Sequence, residues 1–98
     1  MKEKLIEALE EVCDEETFIA FIAALAADRA ESVKKEALKP SSPYGPDANG
    51  WENIKIEEFL EAAADWASVS QPGLKHYKKP ENTWKRCADI LYAGKICE

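Results

Sequence analysis

The sequence predicts an all-α fold, a compact domain of about four helices near residues 2–12, 15–38, 55–70 and 83–96. Two observations carry this. Apolar residues recur at three- and four-residue steps in four segments, and clusters of proline and glycine separate those segments. Strand signals are weak throughout. A chain of 98 residues is one domain's worth, so residues 1–98 are expected to share one core.

In the first helix Leu5, Ile6, Leu9 and Val12 form one apolar stripe, and Glu3, Glu7, Glu10 and Glu11 face elsewhere. A tight corner at Cys13 leads to Asp14, which reads as the N-cap of the second helix, with Glu15 and Glu16 in its first turn. Phe18, Phe21, Ile22 and Leu25 form the main stripe of that helix, widened by Ile19, Ala23, Ala26 and Ala30. From Asp28 onward it is more polar, and that end is open either to solvent or to packing in a homodimer. Lys34, Lys35 and Lys39 suit its negative end, and Pro40 stops it.

Residues 39–53 form a long loop with Pro40, Pro43, Gly45, Pro46 and Gly50, and Asn49-Gly50 signals a turn. The third helix shows the cleanest stripe: Ile56, Phe59, Leu60, Ala63, Trp66 and Ala67. Pro72-Gly73 ends it, and a basic loop containing Tyr77 follows. Asn82 reads as the N-cap of the fourth helix, whose apolar side is Trp84, Cys87, Ala88 and Leu91. The expected core is Phe18, Ile22, Leu25, Phe59, Leu60, Trp66, Trp84 and Leu91.

The formal net charge of −6 favours solubility and works against broad binding to nucleic acid or an anionic membrane. The three cysteines, Cys13, Cys87 and Cys97, are odd in number and far apart, which suits a reducing compartment. The first residues alternate charged with apolar, unlike a signal peptide, and the apolar stretch from Phe18 to Ala27 is too short to span a bilayer. A cytoplasmic location is expected.

Each candidate chemistry meets a physical objection. His76, the single histidine, lies in an exposed-looking basic loop with no partner to orient it as a base. Three scattered cysteines and one histidine lack zinc-site spacing. Glu57, Glu61 and Asp65 share a helical face, but no Glu-x-x-His pair accompanies them, so a solvated acidic face is expected. Asp47, Asn49 and Glu58 imitate the first, third and twelfth positions of a calcium loop, but Trp51 and Glu52 occupy the fifth and sixth. No catalytic residue, metal or cofactor is expected. The basic loop, with Lys85 and Arg86 beyond it, is a short patch on an acidic chain, which argues against nucleic acid.

Tryptophan is the most distinctive residue. Trp66 and Trp84 lie on apolar helical faces. Trp51 precedes a helix, where it either pins the loop over the bundle or contacts a partner. The candidate partner-binding residues are therefore Tyr44, Trp51, Glu52, Asn53 and Tyr77.

Around these residues runs a broader pattern: Trp51-Glu52-Asn53, then Ile56-Glu57-Glu58-Phe59-Leu60-Glu61-Ala62-Ala63 and Trp66. It resumes at Trp84 and continues from Ala88 through Ile96. In this the chain resembles a bacterial family of small helical domains of unknown function. The resemblance covers most of the last fifty residues and, more loosely, Phe18 to Asp28. Family members tend to have Thr or Ser where Lys55 stands here, so the third helix is expected to start nearer Asn53. They also tend to have an aromatic near Cys97. The resemblance implies a helical fold and a structural tryptophan framework, and transfers no catalytic residue.

The function expected is a non-enzymatic protein-interaction module with an unidentified protein partner. Alternatives are an acidic immunity or antitoxin protein that neutralises a basic toxin, and an enzyme with a cryptic site. The first alternative would use Glu7, Glu10 and Glu11 with Glu57, Glu61 and Asp65.

Overall fold

A computed structural model describes residues 3–97. It has helices α1 (Lys4–Glu11), α2 (Glu15–Leu38), α3 (Ile56–Ser70) and α4 (Thr83–Ile96). Among the described residues there is no strand, only an isolated bridge between Leu74 and Tyr77. The fold is all-α, with helix boundaries close to those expected; Lys2, the expected first helical residue, lies outside the described residues.

Local chemistry sets the helix starts. The Asp14 carboxylate accepts from the Thr17 amide at 2.9 Å, and the Thr17 hydroxyl accepts from the Asp14 amide at 3.1 Å. This capping box opens α2. The same hydroxyl accepts from the Cys13 amide at 2.9 Å, which ties the corner from α1 into the cap. Asn82 caps α4 by accepting from the Lys85 amide, and its own amide group donates to the Cys13 carbonyl at 2.8 Å.

α3 differs from expectation. It starts beside Lys55, which gives no side-chain cap, and does not move back to Asn53. Asn53 is engaged at the other end of α4, where its amide group donates to the Gly94 carbonyl at 2.9 Å and to the Cys97 carbonyl. It supplies partners for the unpaired carbonyls of a helix end.

α4 occupies the centre and packs against α1, α2 and α3, whereas α3 meets no helix but α4 among the described residues. The α3–α4 approach is close. A Cβ on Gly94 would lie 2.9 Å from the Phe59 ring, so the residue must be glycine for the helices to sit this near. The buried core joins Leu5, Val12, Phe21, Leu25, Trp51 and Ala88, with Phe18, Phe59, Leu91 and Tyr92 packed against it.

Three residues expected in the core stand at its edge. Leu60 is 57% exposed because α3 has one covering helix, which shields Phe59, Ala62 and Ala63 and leaves the flank bearing Ile56 and Leu60 uncovered. Ile22 is exposed because α2 turns Phe21, Leu25 and Ser32 inward, and the residue after Phe21 lies about 100° round the helix. Trp84 is 37% exposed: it sits in the first turn of α4, at the rim, with its ring centroid 5.5 Å from that of Phe18. Ile19, Ala23, Ala26 and Ala30, expected to widen the buried stripe of α2, all face solvent.

Candidate functional site

The region around Trp51 joins three parts of the chain. Trp51 is 5% exposed, and its indole N–H donates to Asp28 Oδ2 at 2.8 Å. The Lys95 ammonium lies 2.8 Å from the same oxygen, and Lys95 itself is only 3% exposed. Two cations lie close to the indole: the Arg29 guanidinium carbon is 5.5 Å from the ring centroid, and Lys95 Nζ is 5.6 Å away. The Glu52 amide donates to the Lys95 carbonyl at 2.9 Å, which stitches the loop to the end of α4.

Asn49 fixes the loop along α2. Its side-chain amide donates to the Asp28 carbonyl, to Asp28 Oδ1 and to Glu31 Oε1, and its carbonyl oxygen accepts from Lys35 at 2.8 Å. The Asn49-Gly50 turn forms as expected, with Gly50 at φ +81°, where an L side chain would be strained. Asp47 pairs with Arg29 at 2.8 Å. Burial works to raise the Asp47 carboxyl, but hydrogen bonding to Arg29 and Glu36 and the guanidinium charge outweigh it and hold the group below its ordinary value.

Two hollows meet at Trp51 and Ile54. The first lies between the loop and the start of α3, and Pro40, Pro43 and Ile54 line it together with Glu36, Asp47, Glu52 and Glu58. Its lining includes no cation. The second is apolar, formed by Trp51, Ile54, Ile56 and Phe59 with Arg29 and Lys55 at its margin. Ile54 and Ile56 stand exposed between them and solvent.

A second polar cluster closes the other end of α3. Arg86 donates to the Ala67 carbonyl and to Ser70 Oγ, both at 2.9 Å, and lies 5.2 Å from the centroid of the Trp66 ring. The Tyr77 hydroxyl donates to Asp89 at 2.7 Å, and its ring meets Trp66 edge-on with centroids 4.8 Å apart. Burial, then the bond to Asp89, pushes the Tyr77 phenol up. Burial likewise raises the Tyr92 phenol and the Cys97 thiol.

The candidate contact residues thus separate. Trp51 and Asn53 face inward and hold the loop to α2 and α4, and Tyr77 is half-buried against Trp66. Tyr44, at 98% exposure, stands in solvent. Glu52 is half-buried and lines the first hollow. Lys85 and Arg86 are spent on Asp89 and on the end of α3, so they leave the basic patch. His76 is exposed and has no hydrogen bond or ion pair among the described residues. All three cysteines are free, and no metal-holding group of three or more His, Cys, Asp or Glu occurs among the described residues. No described helix is long and apolar enough to cross a membrane.

Sequence reasoning missed Asp28 and Lys95. Asp28 looks like the start of a polar helix end, and Lys95 like a favourable charge at the end of α4. The available signal was their place in the tryptophan pattern, where Asp28 closes its first stretch and Lys95 lies near the end of its last.

These features define a small all-helical domain with a structural tryptophan loop. The chain belongs to a family of unknown function (DUF7660), which it matches over residues 14–98. No curated protein and no solved structure matches it.

Replacing Asp28 with Ala strands the buried Lys95 ammonium, and should cost about 3–5 kcal/mol in urea unfolding. The Asp28→Leu/Lys95→Met double variant should lose less than Asp28→Ala alone; equal losses would contradict a coupled pair. Stability from Asp47 should be present above the unfolded-state value of about 3.9 and vanish as pH falls through the lower folded value. The gap in urea midpoint between wild type and Asp47→Asn should therefore shrink between pH 6 and pH 3. A constant gap would refute this assignment.

Proposed function

We propose that this chain is a protein-interaction module of the bacterial cytoplasm that takes a partner segment into the hollows meeting at Ile54. The observation that carries the reading is the lining itself: exposed isoleucine and proline beside Glu36, Glu52 and Glu58, with Asp47 already paired to Arg29 and no cation in the lining of the first hollow. Such a surface favours an apolar segment flanked by Lys or Arg, because the apolar contact supplies affinity and the carboxylates supply steering and orientation. Tyr44 on the same loop provides an exposed aromatic contact. Three free thiols and the net charge of −6 suit the compartment.

A second reading is an acidic immunity or antitoxin protein. Glu57, Glu61 and Asp65 support it, since all are exposed on α3 without an ion pair among the described residues. A basic toxin would meet that face.

Position-specific photocrosslinking in host cells separates the readings. With the crosslinker at Ile54, one discrete adduct should form, and Glu58→Lys should weaken it. A discrete adduct from Glu61 alone would favour the toxin reading. Adducts from neither position, or equal adducts from Ser68 as control, would overturn both.

A further inference from the structure

α2 is apolar on the side turned away from the core. Ile19, Ala23, Ala26 and Ala30 follow one another at three- and four-residue steps there, flanked by Ile22 and Val33, and all six are exposed. A helix apolar on both sides is ordinarily covered on both sides. Between Glu16 and Lys34 the other charged residues of α2 are engaged elsewhere: Asp28 with Trp51 and Lys95, Arg29 with Asp47, and Glu31 with Lys35 and Asn49. Glu16 and Lys34 are exposed and make no ion pair among the described residues.

We propose that this face is the seam of a symmetric homodimer, in which two copies pack their α2 helices antiparallel about a two-fold axis at the level of Leu25. The proposal uses a different face from the Ile54 hollows and stands independently of that reading.

Register and charge select this occupant. Glu16 and Lys34 are 34 − 16 = 18 residues apart, about five helical turns, so they lie on the same flank and about 27 Å apart along the axis. A two-fold axis perpendicular to both helices keeps each flank on its own side and sends a residue at height n to height 50 − n. Glu16 of one copy then meets Lys34 of the other, twice. A parallel pair, whose axis runs along the seam, would carry the second copy's Glu16 and Lys34 to the opposite flank, so neither charge would meet an opposite one. The same register places Ile19 beside Ala30 of the second copy, large against small, and crosses Ala23 with Ala26 and Ala27 at the centre. Small residues there let the helix axes approach to roughly 8 Å. The area two helices of this length can bury lies at the low end of stable interfaces, so dissociation in roughly the micromolar range is expected.

Sedimentation equilibrium of the full chain under reducing conditions, from 1 to 500 μM (about the expected dissociation range), tests this. The mass should rise from 11.0 kDa towards twice that value. Ala26→Glu should stay monomeric throughout with an unchanged circular dichroism spectrum. Glu16→Lys and Lys34→Glu should each weaken association about tenfold, and the double exchange should restore it; Ile54→Lys should leave it unchanged. A monomer at every concentration would overturn the proposal. So would a dimer that Ala26→Glu leaves intact, or one that the double exchange fails to restore.

Discussion

Asp28 leaves the middle of α2 towards the loop and receives on one oxygen both the indole N–H of Trp51 and the ammonium of Lys95. Its other oxygen takes the amide group of Asn49. Removing a lysine from water is costly unless the charge is paired and hydrogen-bonded, so Lys95 at this depth requires the carboxylate. The carboxylate in turn decides where the loop lies, because the tryptophan it holds belongs to the core while its neighbours Glu52 and Asn53 bind the end of α4. Arg29 and Asp47 add a second pair beside it, so two carboxylates and two cations surround the indole with no net charge.

The arrangement explains how α3 is held. Among the described residues no other helix but α4 covers it, along the close approach at Gly94, and the Trp51 loop fixes its beginning through Phe59, whose ring centroid lies 6.0 Å from that of Trp51. Its far end is closed by Arg86 beneath Trp66. A helix covered on one side must leave apolar residues uncovered: Ile56, Leu60 and Val69 are those residues on α3, and Ile54 stands exposed in the loop just before it. The hollows at Ile54 follow from the way the loop is pinned: holding Trp51 inward leaves Pro40, Pro43 and Ile54 at the surface around a set of carboxylates.

Most of the fold was legible because it rests on local rules. Helical periodicity located the four helices, and the capping preferences of Asp14 and Asn82 marked two starts correctly. Depth was less legible. Periodicity shows that Ile22 and Leu60 lie near an apolar stripe, but the number of neighbours covering the stripe decides whether they are buried, and that is a tertiary property. The links around Asp28 were illegible for a related reason: Asp28, Trp51 and Lys95 are far apart in sequence, and each has an ordinary local role. Asn53 shows the same limit. Its short amide side chain suggests a cap for the helix that follows, whereas it caps the end of α4, which arrives from the other end of the chain.

Exchange of the indole N–H protons with solvent, followed by NMR, tests the central place of Asp28 most directly. The Trp51 proton should be protected nearly to the level of global unfolding, because it is buried and bonded to a carboxylate that also holds Lys95. The Trp84 proton, on a ring at the rim, should exchange far faster. Fast exchange at Trp51, comparable with that at Trp84, would show that the loop opens freely and that Asp28 does not hold the domain together.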